Sequence, residues 1–138
     1  MRVIWCGALL LGACAAAPLP VPAAKDDALA RDTAAYAVAS CLTMVGNPYL
    51  REQGELWAGG VIQRGAGPIE AWTPIADAVK AELARSGVGQ AKPERPSDPG
   101  RPMPVMTCGE IGHAPGVAAA VAKARAALAA DYRAKAAR

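Results

Sequence analysis

The stretch DDALARDTAAYAVASCLTMV, Asp26 to Val45, decides the reading of the whole chain. Asp26 or Asp27 is placed to cap its start, and Gly46-Asn47-Pro48 is placed to end it. Between them Ala34, Val38, Cys41 and Val45 recur at helical spacing, with Tyr36 and Leu42 flanking. The spacing predicts one long helix with that stripe turned inward. Cys41 then lies on the inner face, where a bridge to another helix is geometrically reasonable.

Moving outward, Tyr49 to Arg64 reads as a second helix with Leu50, Trp57 and Val61 on a shared face. Gly54, Gly59 and Gly60 weaken it by about 1 kcal/mol each. Glycines inside a helix either admit a neighbouring backbone or mark a poor helix, and both readings stand. Gly65-Ala66-Gly67-Pro68 is a break, and a third helix begins near Pro68 with Trp72, Ile75, Val79 and Leu83 along one side. Glu70 falls near its start, where the helix dipole favours a carboxylate. Pro74 either kinks this helix or begins it with Thr73 as cap; Ser86-Gly87 ends it. Val105, Met106, Cys108 and Ile111 suggest a short helix. After the corner His113-Ala114-Pro115-Gly116, Val117, Val121, Ala124, Leu128 and Tyr132 mark a last helix. The expected fold is all-α, a small compact bundle of about five helices.

Between the third and fourth helices the periodicity stops. Residues 87–104 form a Pro-rich loop with Pro93, Pro96, Pro99 and Pro102 at every third position. A polyproline II segment has three residues per turn, so these prolines would line one edge of an extended arm. Lys92, Glu94, Arg95, Ser97, Asp98 and Arg101 lie among them and read as exposed. Such a segment is either a passive connector or a semi-rigid loop offered to a partner, its ordering cost already partly met.

Composition sets the limits. The 138 residues include no Phe, three Trp and three Tyr, and the chain is rich in Ala. Ala favours helix but buries little surface, so the core is expected to be thin. Met1-Arg2 followed by the uncharged run Val3 to Ala17 has the form of a secretory signal, too short for a comfortable membrane span. Leu11-Gly12-Ala13-Cys14 has the form of a lipobox, with Cys14 the lipid-bearing residue; alternatively cleavage falls near Val21-Pro22-Ala23-Ala24. On either reading residues 1–24 are a leader and 25–138 one helical domain. Without Arg2 the domain holds 14 Lys+Arg against 12 Asp+Glu, a dispersed excess that does not argue for nucleic acid.

Two of the four cysteines, Cys6 and Cys14, lie in the leader, leaving Cys41 and Cys108 to pair. A disulfide is where an exported protein with a thin core gains most. Two buried thiols are the plainer alternative. A metal site from Cys108 and His113, completed by Glu110 or Cys41, has no recognised ligand spacing. No nucleophile elbow, phosphate loop or dinucleotide fingerprint is present. A Cys–His hydrolase needs a free Cys108 thiol. The expectation is a protein that acts by binding, without catalysis, metal or cofactor.

Three segments, in order, resemble the type VI secretion amidase immunity proteins. Ala35 to Leu42 resembles that family's first-helix Tyr…Cys-(aliphatic) signature. Trp57 to Val61, continued by Gly67-Pro68-Ile69-Glu70-Ala71-Trp72, resembles its Gly-aromatic and Ile-Glu-Ala-aromatic stretch. Met106 to His113 is similar to its Met-Lys-Cys-(aliphatic)-Asp-Leu-Tyr-His run. Val61, Gly109 and Gly112 depart from the pattern. The resemblance implies a periplasmic, disulfide-bonded homodimer whose loop between the third and fourth helices enters the active-site cleft of a cognate peptidoglycan amidase effector. It thereby assigns the partner contacts to Lys92, Glu94, Arg95, Ser97, Asp98 and Arg101. The alternative is an envelope lipoprotein or structural adaptor, held to the outer membrane only through a lipid on Cys14.

Overall fold

The structure, a computed structural model, describes residues 27–138. The leader, Cys14 and Asp26 lie outside the described residues. Helix α1 (Asp27–Met44) is followed by α2 (Pro48–Arg64), a 3-10 turn (Ile69–Ala71) and α3 (Thr73–Ser86). A two-residue ladder, β1 (Gln90–Ala91) with β2 (Arg101–Pro102), comes next. Then follow α4 (Pro104–Glu110), a second 3-10 turn (Ile111–His113) and α5 (Pro115–Ala136). The fold is all-α, five helices with a minimal hairpin, and Cys41 is bonded to Cys108.

α1 is the centre of the assembly, packing against α2, α3, α4 and α5. It is therefore buried on more than one side: Asp32, Thr33, Ala37, Ala39, Ser40, Cys41 and Leu42 are all inside. Here the expected stripe needs correction. Ala34 is exposed, and the deepest row runs Thr33, Ala37, Cys41. Alanine fits either face, so its spacing carries little information about direction.

Helix α2 lies against α1 at a glycine. A Cβ on Gly54 would stand 2.7 Å from the Ala39 carbonyl oxygen and 2.9 Å from the Thr43 nitrogen. Only a residue without a side chain permits that approach. Leu50 and Val61 flank it on the inner face, whereas Trp57 is 41% exposed and does not share that face as expected. Gly59 and Gly60 have nothing within 4 Å of a Cβ, so they serve no close packing within the chain.

α3 begins at Thr73 and Pro74, not near Pro68 as expected, because residues 69–71 turn off as a separate 3-10 segment; Pro74 therefore starts the helix rather than kinking it. The cap is Trp72, and Thr73 is already the first helical residue, with no side-chain capping bond. Trp72, Ile75 and Val79 then fill the core with Val61, Ile111, Val117, Ala124 and Leu128. Tyr36 meets the Trp72 ring edge-on, with centroids 5.2 Å apart.

Candidate functional site

A continuously exposed segment, residues 92–102, follows the end of α3. Gly87 adopts φ +67°, a left-handed conformation suited to glycine, and its N–H donates to the Leu83 carbonyl at 2.9 Å. The chain then leaves the helix axis and enters β1. Gln90 pairs with Pro102 and Ala91 with Arg101 in an antiparallel register. At the tip, the Asp98 N–H donates to the Arg95 carbonyl at 3.0 Å, placing Pro96 at the second position of a turn, where its fixed φ is favourable. The segment is thus a hairpin that doubles back, not the extended polyproline arm expected from its proline spacing. Prolines at every third position fit both backbones, and ladder closure decides between them.

All six loop residues expected at a partner surface are exposed. Lys92, Glu94, Asp98 and Arg101 line a concavity of about 350 Å³ between the two arms, while Arg95 and Ser97 sit in the apical turn. Among the described residues, none of the five charged side chains in this set forms an ion pair. The tip therefore offers two anions and three cations with their hydrogen-bonding capacity unspent.

The base of the hairpin is fastened to α4. Thr107 Oγ1 accepts from the Gly89 N–H at 3.0 Å and donates to the Met103 carbonyl at 2.9 Å. The Met103 N–H donates to the Gly89 carbonyl at 2.8 Å. Beneath this junction lies a groove of about 270 Å³ with Met103 and Met106 along it and the carboxylates of Glu82 and Glu110 at its edge. Arg85 holds Glu82 at 2.6 Å, and that hydrogen bond keeps the Glu82 carboxyl below its ordinary pKa. Cys108, one residue beyond Thr107, carries the disulfide to Cys41. While that bond stands, Cys108 has no thiol to offer His113, which sits exposed in the 3-10 turn. Among the described residues, no group of three or more His, Cys, Asp or Glu is placed to hold a metal ion.

One constellation was not legible beforehand. Asp32, with only 2% of its side chain exposed, accepts from Arg64 Nε at 2.9 Å, Arg31 Nε at 3.2 Å and the Tyr132 hydroxyl at 2.9 Å. Burial alone would raise the Asp32 pKa. Hydrogen bonds from Arg64, Tyr132 and Arg31 outweigh it and hold the carboxyl below its ordinary value. Burial, then the hydrogen bond to Asp32 and its charge, raise the Tyr132 phenol well above its own ordinary pKa. Lys135 adds bonds to the Arg64 and Gly65 carbonyls at 2.6 and 3.0 Å. This cluster ties α1, α2 and α5 together, and both oxygens of the Asp32 carboxylate are engaged by the protein itself. Its only sequence signal is Asp32, an acid within the alanine-rich α1. Compared with family models, curated proteins and solved structures, the chain has no match.

Proposed function

We propose that the protein is a periplasmic immunity protein that binds a cognate peptidoglycan amidase effector of type VI secretion and inhibits it by filling its active-site cleft with the 87–104 hairpin. One observation carries the reading: an exposed hairpin with unpaired, mixed charges adjoins a helical body and is covalently backed through Cys108. A cleft is concave, so its inhibitor needs a convex element that does not lose much freedom on entry. The 95–98 turn, the β1–β2 ladder and the prolines meet part of that ordering cost beforehand. The choice of an amidase as the partner rests on the sequence resemblance alone. So does homodimer formation, whereas export rests on the signal-like residues 1–24, and tethering to the outer membrane on the lipobox form of Leu11-Gly12-Ala13-Cys14.

In this reading the protein does no chemistry of its own. Lys92, Glu94, Asp98 and Arg101 pair with polar groups at the cleft mouth, and Arg95 and Ser97 enter furthest. The test is a pull-down against the product of the neighbouring gene, followed by peptidoglycan hydrolysis with and without the protein. The expected result is stable capture and loss of hydrolysis. Replacing residues 92–100 by a short glycine turn should leave helix content unchanged and weaken inhibition by at least about 100-fold, the scale of losing a hot-spot cluster. A disulfide-intact protein that neither captures nor inhibits the amidase rejects the reading and favours the envelope adaptor.

A further inference from the structure

We propose that the Cys41–Cys108 disulfide is a redox latch that sets whether the hairpin is held in its presenting position. The argument lies in how little else holds α4. This helix has seven residues, too few to persist alone, and Cys108 is its only fully buried side chain. Val105 and Met106 on the same helix are 64% and 53% exposed. α4 packs on α1 and on the 3-10 turn that follows it, and its covalent tie to α1 runs through Cys41, which has no exposed surface.

The hairpin in turn rests on α4. Its base is bonded through Thr107, Met103 and Gly89, and none of residues 92–102 is buried. Cys108 enters the core beside Cys41, but the rest of the body has contacts of its own. Val61, Ile75, Val79, Val117, Ala124 and Leu128 pack together from α2, α3 and α5, and Asp32 joins α1 to α2 and α5. Two pivots bound the hairpin and α4: Gly87 with its positive φ, and Ile111, anchored in the core just after α4.

A dithiol reductant releases the latch. The sulfur–sulfur bond breaks, two electrons and two protons pass from the dithiol, and the dithiol leaves as its own disulfide. Cys41 and Cys108 remain as thiols. With both sulfurs buried, the reductant must wait for α4 to open, so release is slow. In an oxidising compartment the hairpin stays seated. In a reducing one, residues 88–110 swing free while the body stays folded, and binding competence follows the compartment.

Hydrogen exchange read by mass spectrometry tests this on the purified protein, oxidised and after reduction by a dithiol, with a Cys41→Ala/Cys108→Ala double variant alongside. Amides of residues 88–110 should exchange close to the rate of an unstructured peptide in both disulfide-free forms, while α2, α5 and the first turns of α1 keep protection of at least about 10-fold over that rate. Complete loss of protection along the whole chain would overturn the latch, because the bond would then be holding the entire fold. Unchanged protection in residues 88–110 would overturn it equally. No partner enters the measurement, so its outcome is independent of the amidase reading.

Discussion

Asp32 is the residue whose chemistry reaches furthest. Its carboxylate is desolvated yet accepts three hydrogen bonds, two of them from guanidinium groups that remain 44% and 59% exposed. Asp32→Asn keeps the shape but removes the charge those bonds rely on. Because both arginines can return to water, the expected loss is about 2 kcal/mol rather than the larger cost of stranding a buried ion. Urea unfolding at neutral pH measures it. The pH dependence has a definite sign. A carboxyl held below its ordinary value of 3.8 binds a proton more readily when unfolded, so its contribution is present above that value and is lost as pH falls through the folded pKa. Tyr132 acts at the other end. Its phenol is raised above the ordinary 10.0, so the folded form keeps a proton that the unfolded form releases. Stability from this group is present below pH 10 and declines above it. Tyr132→Phe should remove that alkaline slope and cost about 1 kcal/mol at neutral pH, read from melts across the range. A slope that survives in both variants would place the titrating groups elsewhere. Sequence alone could not reveal this cluster, because its members are 32 and 100 residues apart and meet only through tertiary packing.

At the scale of elements, most helix ends were legible, as were the inner faces of α3 and α5, whereas the faces of α1 and α2 were legible only in part. Gly46-Asn47-Pro48, Ser86-Gly87 and Pro115 act locally, through fixed φ, missing N–H groups and left-handed turns, so each boundary falls close to where composition puts it. Faces are set by partners. Ala34 and Trp57 were assigned inward and point out, since α1 is covered from several directions and α2 approaches it through Gly54. That geometry separates the three glycines of α2. Gly54→Ala would drive a methyl into the backbone of Ala39 and Thr43, and should cost about 1–3 kcal/mol despite better helix propensity. Gly59→Ala and Gly60→Ala meet nothing within the chain and should each stabilise by about 0.5–1 kcal/mol. Thermal melts of the three single variants decide it; equal effects would mean that propensity rather than packing governs α2. The hairpin invites a similar contrast. Pro96→Gly leaves every exposed charge in place but frees the apical turn, so affinity for a captured amidase should fall by about two- to fivefold through ordering cost alone. An unchanged affinity would show that the tip is reshaped on binding.

For the whole molecule, the thin core predicted by an alanine-rich, Phe-free chain makes the single cross-link weigh heavily. The described core is filled by medium-sized side chains and one tryptophan, with alanine on α1 and α5 occupying positions that larger residues often take. The all-helical class and the Cys41–Cys108 pairing were both legible, because one follows from local propensity and the other from simple cysteine arithmetic. How α4 hangs from that bond was not, since it depends on which of its residues find a neighbour. The bond closes a loop of 67 residues, which on the chain-entropy account restricts the unfolded ensemble by roughly 4 kcal/mol. Two effects then separate by observable. Complete unfolding in urea should be easier by roughly 4 kcal/mol in the Cys41→Ala/Cys108→Ala variant, with some of that offset where the two methyls leave a small void. Helix content without denaturant should barely move, because α4 supplies only seven residues. A variant that loses most of its circular dichroism before any urea is added would mean that the body cannot stand without the cross-link.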